Sequence, residues 1–277
     1  MNELKVLSYD LRKHVVDMII AGKGGHIGGD MSVMEILVEL YMKQMNISPE
    51  NKDSDNRDRF VLSKGHSVES YYAVLAKKGF FPMEEVISTF SQFGSKFIGH
   101  PNNKLPGIEM NSGSLGHGLP VSVGMALAGK MDDRDYRVYT VMGDGELAEG
   151  SVWEGAMAAS HYKLDNLCAV VDRNRLQISG RTEDVMAHDD LHERFGAFGW
   201  NVIDVADGND IDQLKVAFDT AKTVKGRPSV LIANTVKGKG SSVMEDKANW
   251  HHKVPSGEEL AQIRKELADR KEAALRG

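Results

Sequence analysis

The stretch that decides the fold runs from Gly143 to Gly180 and reads GDGELAEGSVWEGAMAASHYKLDNLCAVVDRNRLQISG. It begins where one apolar run, Tyr136–Met142, stops, and a second run, Leu167–Val171, stops near Asn174. Both runs are short and rich in Val, which is typical of buried strands in a parallel sheet. Between them, Ser151-Val152-Trp153-Glu154 has the pattern of a capping box, so we predict that a helix starts there. This order of strand, turn, helix and strand predicts an α/β sheet with a ligand site at its carboxyl edge.

Two oxygen-bearing side chains, those of Asp144 and Asn174, follow the two predicted strands. Mg²⁺ prefers oxygen ligands and usually shares them with a phosphorylated ligand. Gly143 and Gly145 would let the backbone approach a diphosphate closely, and the nearby helix start offers N–H groups to an anion. The same residues are also typical of a tight turn with an Asn cap. The residues alone therefore leave a metal site and a structural turn both open.

A resemblance to a known family narrows this choice. GDG at 143–145, followed after 28 residues by Asn174, resembles the thiamine diphosphate signature. The longer segments GDGELAEGSVWE, YKLDNL and DRNRL resemble the transketolase family. The resemblance implies a thiamine diphosphate-binding fold that holds thiamine diphosphate and Mg²⁺, for which Ca²⁺ or Mn²⁺ can substitute. It also implies that Asp144, Asn174 and the main-chain oxygen of Leu176 bind the metal.

Length and composition suit a single α/β domain spanning residues 1–277, since 41% of the residues are apolar. The net charge of −6, without a basic cluster, argues against a nucleic-acid partner. No apolar run approaches the roughly 18 residues that a membrane span needs. The single cysteine, Cys168, excludes an internal disulfide, so we expect a cytoplasmic protein without a membrane partner.

The remaining pattern alternates between helix and strand. We predict helices at 3–21, 33–45, 82–91, 119–131, 188–198, 211–226 and from 257 onward, with one more after His66. We predict the other strands at 59–63, 200–205 and 229–236. Alternation of this kind predicts a mainly parallel sheet flanked by helices on both faces.

One break and two further starting signals accompany these predictions. The glycine-rich segment 22–29 is expected to break the helical pattern, and Ser32-Val33-Met34-Glu35 reads as a second capping box. Asp210 is expected to cap the helix that follows it. The helix at 33–45 is apolar on nearly every side, so it must be buried in the core or against another chain.

Four of the ten histidines directly follow a glycine: His26, His66, His100 and His117. A histidine in a turn is usually an ordinary surface residue. Glycine, however, removes bulk beside an imidazole that must approach a ligand, and histidine exchanges protons near neutral pH. Both interpretations fit the residues themselves.

The resemblance assigns roles to several of these turns. The turns around His26, His66 and His100 resemble transketolase turns, and Trp250-His251-His252-Lys253 resembles a fourth. It implies that His26 and His251 bind substrate and transfer protons, that His100 binds substrate, and that His66 contacts the diphosphate and thiazolium. His14, His161, His188 and His192 match no family turn, and we expect them at the surface.

The resemblance also covers residues outside the histidine turns. It implies that the backbone of Gly113, Ser114 and Leu115 meets the aminopyrimidine ring, and that Gly145 and Lys237 contact the diphosphate. Glu149 resembles a buried carboxylate that links two cofactor sites across a dimer interface, although a first-turn glutamate is also favoured by the helix dipole. The sequence departs from the family at Ile27, where proline is usual, and at His117, where glutamine is common.

The family implies a function and a partner. In it, a glutamate that activates the cofactor belongs to a separate pyrimidine-binding domain, which this sequence does not supply. We therefore expect the partner to be a C-terminal transketolase subunit, in an α₂β₂ assembly with helices 33–45 and 119–131 as interface candidates. Ordinary core packing is the alternative for both helices.

The expected reaction moves a glycolaldehyde unit from a ketose phosphate to an aldose phosphate, as in the pentose phosphate pathway. The alpha subunit of a 2-oxo-acid dehydrogenase would share the cofactor, but a 2-oxo acid has no hydroxyl chain for these histidines to bind. A third hypothesis is a metal- or nucleotide-binding module without catalytic activity.

Overall fold

The structure is a computed structural model that describes residues 2–188 and 190–276. In that part of the chain the strands are β1 (Arg59–Leu62), β2 (Val138–Gly143), β3 (Leu167–Arg173), β4 (Leu176–Gln177), β5 (Gly180–Arg181), β6 (Asn201–Val205) and β7 (Ser229–Asn234). The helices are α1 (Asn2–Gly22), α2 (Ile27–Glu39), α3 (Val68–Lys78), α4 (Met83–Thr89), α5 (Gly118–Met131), α6 (Gly150–His161), α7 (Thr182–Val185), α8 (Leu191–Ala197), α9 (Ile211–Thr223) and α10 (Gly257–Arg276).

Five strands form one sheet in the order β1-β2-β3-β7-β6, and every neighbouring pair is parallel. The register places Gly143 opposite Asp172 at the end of the β2–β3 pair. Since the strands run in one direction, the turns that follow β1, β2, β3 and β7 meet at the carboxyl edge. A short antiparallel hairpin of β4 and β5, which the sequence pattern did not predict, follows β3.

Helices cover both faces of the sheet and enclose two apolar cores. Tyr139 and Val141 of β2 pack into the core that contains α1, α2, α3 and α9. Val138 and Met142 of the same strand pack into the core of α5, α6 and α8. This alternation, in which successive side chains point to opposite faces, confirms the predicted parallel sheet with helices on both faces.

The glycine-rich segment was interpreted wrongly in part, because α2 begins at Ile27 and contains Gly28 and Gly29. These glycines serve close packing: a Cβ on Gly28 would lie 2.6 Å from the Trp250 carbonyl oxygen, and one on Gly29 would lie 2.7 Å from Ser67 Oγ. The predicted capping box at Ser32 is also wrong. Ser32 lies inside α2, where its hydroxyl donates to Asp172 Oδ2 at 2.6 Å and lies 3.0 Å from Gly29 O.

The predicted caps at Ser151 and Asp210 had different outcomes. Helix α6 begins at Gly150 with Glu149 as its N-cap residue, and the Ser151 hydroxyl instead donates to Gly116 O at 2.9 Å. Asp210 is the N-cap of α9, as predicted, and accepts hydrogen bonds from the amides of Asp212 and Gln213. A capping side chain must accept from the first free amides of its helix, and of these predicted caps only Asp210 does so.

The two interface candidates differ in exposure. Every residue of α2 is buried inside its own chain, so this helix packs in the core. Helix α5 keeps an exposed apolar stripe that includes Val121 at 37% and Met131 at 75% exposure. Among the described residues, no helix is long and apolar enough to cross a membrane.

The buried strands should dominate the stability of this fold. We expect Ile232→Ala in β7, whose side chain is fully buried, to lower the free energy of unfolding by about 2–5 kcal/mol, because it removes apolar contacts and leaves a cavity. Urea denaturation measures the change. The same substitution at the partly exposed Ile203 of β6 is the matched control, and an equal loss at both positions would contradict the assignment of the core.

Candidate active site

A cavity of about 260 Å³ opens at the carboxyl edge of the sheet. Most of the predicted site residues line it, namely His26, His66, His100, Gly113, Leu115, Asp144, Gly145, Asn174, Leu176, Lys237 and His251. A groove of about 420 Å³ lies between β6 and α9 and is lined by none of these residues. The predicted site residues are therefore concentrated in the cavity of about 260 Å³ and not in this groove.

Asp144 joins the turns that follow β2 and β3. Its Oδ1 accepts from the amide of Gly145 at 2.9 Å, and its Oδ2 accepts from the amide of Arg175 at 2.6 Å. Asn174 Oδ1 accepts from the Leu176 amide at 3.2 Å. Burial, together with the charge of Asp172, raises the pKa of Asp144 to about 6. A nearby cation would stabilise this buried carboxylate in its charged form.

Lys237 lies beside the third predicted metal ligand. Its ammonium donates to Leu176 O at 2.9 Å and lies 2.9 Å from His251 Nδ1. Burial and the charge of Lys64 lower the pKa of Lys237 to about 8. A carbonyl oxygen has two lone pairs, so Leu176 O retains one for a cation. Lys237 thus brings a positive charge to the place where the resemblance predicts a diphosphate.

A buried network centred on Asp172 supports these turns, and the sequence reasoning missed it. Asp172 is fully buried and accepts from Lys64 Nζ at 2.5 Å, from Ser32 Oγ at 2.6 Å and from Thr235 Oγ1. Asn174 Nδ2 lies 3.5 Å from the same carboxylate. The position of Asp172 at the end of a strand, two residues before Asn174, was the available signal. The network holds the Lys64 ammonium at the cavity and orients the Asn174 amide.

The predicted histidines come together from separate turns. The His26 ring lies 5.2 Å from His66, 6.2 Å from His100 and 5.5 Å from His251, measured between ring centroids. His252, to which no role was assigned, is closer still, at 4.7 Å. Their grouping is a tertiary arrangement, because the rings are carried by segments far apart in the sequence.

The environment keeps the imidazoles of the four predicted site histidines neutral. Burial, followed by the charges of neighbouring histidines and lysines, lowers the pKa of His26 to about 4. Burial and Lys237 lower the pKa of His251 to about 3. Burial likewise lowers the pKa of His66 and of His100. At neutral pH each ring therefore offers one donor and one acceptor nitrogen.

The two glutamates of the segment Gly143–Gly150 lie in different environments. Glu149 is exposed at the N-cap of α6 and lies outside the residues that line the cavity, so within a single chain it is not buried. Its role across an interface stays a prediction. Glu146, which the sequence reasoning passed over, is buried and lines the cavity.

Among the remaining residues, Ser114 is exposed and absent from the cavity lining, and His117 is exposed before α5. The surface prediction is wrong for His188, which is only 2% exposed. Helix α8 begins only at Leu191, so His188 lies in the segment before it and packs inward. His161 and His192 are exposed as predicted, and His14 is half-buried.

Among the described residues, no group of three or more histidine, cysteine or acidic side chains could hold a metal ion. The predicted metal site does not require such a group, because its ligands are a single carboxylate, an amide oxygen and a main-chain carbonyl oxygen. Such oxygen ligands, completed by a phosphate, suit Mg²⁺.

Comparison with known proteins decides the family. The transketolase, thiamine diphosphate-binding domain family matches residues 5–274. This chain belongs to the transketolase family.

Several transketolases show how the chain relates to the family. It is 47% identical over 267 residues to an apulose-4-phosphate transketolase subunit from Phocaeicola vulgatus, covering 96% of this chain and 94% of that one. It is 43% identical over 229 residues to a 6-deoxy-6-sulfo-D-fructose transketolase subunit from Clostridium sp., covering 82% of each. Human transketolase is 40% identical over 251 residues, which are 90% of this chain and 40% of that protein.

The fold of the solved transketolases agrees with this relationship. Transketolase from Campylobacter jejuni superimposes with a TM-score of 0.91 at 28% identity, covering 99% of this chain and 46% of that one. The chain therefore spans less than half of the human and Campylobacter transketolases and nearly all of the Phocaeicola subunit. The predicted thiamine diphosphate-binding fold is confirmed.

The lowered pKa of His26 makes the stability of this transketolase domain depend on pH. Its pKa is about 4 in the folded chain and about 6.5 when unfolded, so between these values the unfolded chain binds more protons. Stability should therefore fall as the pH decreases through that window. We expect His26→Asn to lose less stability between pH 7 and pH 5 than the unsubstituted chain, measured by urea denaturation without cofactor.

The matched control for this measurement is His161→Asn, at an exposed histidine of α6. It should lose as much stability as the unsubstituted chain. An equal loss in the His26 variant and in the control would show that His26 does not titrate as the structure indicates.

Proposed function

We propose that this chain is the thiamine diphosphate-binding subunit of a two-subunit transketolase. With its partner it would transfer a two-carbon glycolaldehyde unit from a ketose phosphate to an aldose phosphate. One observation carries the proposal: the Asp144–Asn174 turns and four histidines share a single cavity in a chain of this family. The same histidines argue against a 2-oxo-acid substrate, which has no hydroxyl chain for them to bind.

The cavity residues fit the cofactor that the family implies. Asp144, Asn174 and Leu176 O would hold Mg²⁺, and His66, Gly145 and Lys237 would contact the diphosphate. The amides and carbonyls of Gly113, Ser114 and Leu115 would meet the aminopyrimidine. The buried ammonium group of Lys237, whose contacts are a carbonyl and an imidazole, favours an anion in this position, whereas that of Lys64 is paired with Asp172. When bound, thiamine diphosphate supplies the carbon nucleophile and the electron sink of the reaction.

The histidines would act on the sugar. Neutral imidazoles on His26 and His251 face the same cavity, where His26 could donate to one hydroxyl and accept a proton from another, and His251 could donate its Nε2–H to a hydroxyl. His251 Nδ1 lies against the Lys237 ammonium, which leaves the other nitrogen to face a ligand. His100 would bind the substrate alongside His26.

The partner would complete the site. The relatives from Phocaeicola vulgatus and Actinobacillus succinogenes are each named as one subunit of a transketolase, which supports a second subunit here also. We propose that residues 1–277 form one domain and that the partner supplies the pyrimidine-binding domain in an α₂β₂ assembly. The exposed stripe of α5 with Val121, and the exposed Glu149 at the start of α6, are suitable surfaces for such an assembly.

The substrate is a further part of the proposal. The relatives are named for apulose 4-phosphate and for 6-deoxy-6-sulfo-D-fructose, which are ketoses with an anionic group. We propose a ketose of this class, with a phosphate, as the donor. Whether the chain serves the pentose phosphate pathway then depends on which ketose it prefers.

Reconstitution tests the function. The chain, combined with a C-terminal transketolase subunit, should convert at least one of xylulose 5-phosphate, apulose 4-phosphate or 6-deoxy-6-sulfo-D-fructose when an aldose phosphate, thiamine diphosphate and Mg²⁺ are present. Neither chain should do so without the other, because each holds only part of the cofactor site. Turnover of pyruvate without any sugar would contradict the proposal, as would cofactor binding without any group transfer.

The metal site has its own test. We expect Asp144→Ala to abolish Mg²⁺-dependent binding of thiamine diphosphate, because the carboxylate that joins both turns is lost. Thermal denaturation of the assembled protein gives the readout, since a ligand at a hundred times its dissociation constant stabilises by about 2.7 kcal/mol. The exposed Asp132→Ala is the control and should keep the full shift. An unchanged shift in the Asp144 variant would remove Asp144 from the metal site.

A further inference from the structure

Glu146 has a set of contacts that its place in the sequence does not suggest. It lies in the short 3₁₀ turn Gly145–Ala148 that follows Asp144, its side chain is 2% exposed, and it lines the active-site cavity. A buried carboxylate is costly unless hydrogen bonds satisfy its oxygens. Both of its oxygens have such bonds.

The bonds come from three different segments. Glu146 Oε1 accepts from the Ser63 hydroxyl and from the Gly116 amide at 2.8 Å, and Oε2 accepts from the Gly143 amide at 3.0 Å. The Ser63 hydroxyl in turn accepts from the Gly118 amide at 3.1 Å. One carboxylate thus joins the end of β1, the loop that precedes α5 and the end of β2.

These segments pack so closely that a side chain would not fit at two of their glycines. A Cβ on Gly118 would lie 2.3 Å from the side chain of Ser63, and one on Gly116 would lie 2.6 Å from Glu149 Cβ. The loop before α5 therefore lies directly on its neighbours, and Glu146 fixes it there through the amides of Gly116 and, by way of Ser63, of Gly118.

The two joined regions serve opposite ends of the proposed cofactor. The loop before α5 carries Gly113, Ser114 and Leu115, and the Gly143–Gly145 turn carries Asp144. We propose that Glu146 is a positioning residue, whose carboxylate holds the loop at 113–118 against the Gly143–Gly145 turn at the separation that thiamine diphosphate requires. This inference rests on the proposed function, because the cofactor defines that separation.

Glu146→Gln is the variant that tests it. A glutamine amide has one acceptor oxygen, and its NH₂ group would face an N–H or O–H donor on the other side. It cannot replace both sets of bonds, although its size and shape are nearly those of glutamate. Glu154→Gln, at an exposed position of α6, is the matched control.

The first measurement needs no cofactor. Hydrogen exchange in the free chain should show the amides of Gly116 and Gly118 exchanging about tenfold faster in Glu146→Gln, because local opening becomes easier. Amides of the central strand β7 should keep their rates. Faster exchange throughout the chain would mean that Glu146 only stabilises the fold, and this result would overturn the proposal.

The second measurement uses the assembled enzyme. Titration calorimetry should show that Glu146→Gln binds thiamine diphosphate with Mg²⁺ about 10–100-fold more weakly, as is usual when a residue behind a ligand is changed. The KM for the sugar should stay close to that of the unsubstituted enzyme, which separates a loss of cofactor binding from a loss of substrate binding. Unchanged cofactor affinity, or an equal loss in Glu154→Gln, would refute the positioning role.

Ser63→Ala is the second variant, which decides the question if Glu146→Gln does not fold. It removes one donor to Glu146 and frees the Gly118 amide, so we expect a smaller loss of cofactor affinity and faster exchange at Gly118. If neither the cofactor affinity nor the exchange rate at Gly118 changes, the proposal is overturned. If the unsubstituted enzyme binds the cofactor but transfers no sugar fragment, the proposed function fails while the role of Glu146 is still measured by binding.

Discussion

The buried ion pair between Asp172 and Lys64 is the interaction on which the site depends. The carboxylate is fully buried, and it accepts from the Lys64 ammonium at 2.5 Å and from hydroxyls on α2 and after β7. Buried charges are tolerated only when their remaining hydrogen-bonding capacity is satisfied. The segments that carry these donors must therefore meet at one point, and that point lies beneath the Asp144 and Asn174 turns.

Around this pair the cavity has a consistent electrostatic character. Lys64 and Lys237 bring two ammonium groups to it, while burial keeps the neighbouring imidazoles neutral. Under the proposed function, an anionic cofactor would bind near the lysine ammonium groups, and the neutral histidines would not attract it away from them. The neutral rings would then remain available to hydroxyl groups of a sugar, as the proposed reaction requires.

Glu146 and Asp172 make similar contacts at the carboxyl edge of the sheet. Each is a buried carboxylate that contacts backbone or side-chain donors from several turns and lies behind residues predicted to touch the cofactor. Neither belongs to the recognised signature of Asp144 and Asn174. Parallel sheets bring turns together at one edge, but the turns themselves are irregular, and buried acceptors of this kind fix their spacing.

The sequence by itself determined the alternation of strands and helices and the parallel sheet, because apolar periodicity is a local property of the chain. It also determined the family, because the sequence motifs between Gly143 and Gly180 are local as well. It also predicted that α9 is capped by Asp210, since a cap acts on amides only two or three residues away. Only the tertiary structure decided that Ser32 and Ser151 bond to distant acceptors instead of capping helices, and that Gly28 and Gly29 pack inside one. The same holds for Asp172, Glu146 and His252, whose partners lie on other elements, because no local pattern records which turns a folded sheet brings into contact.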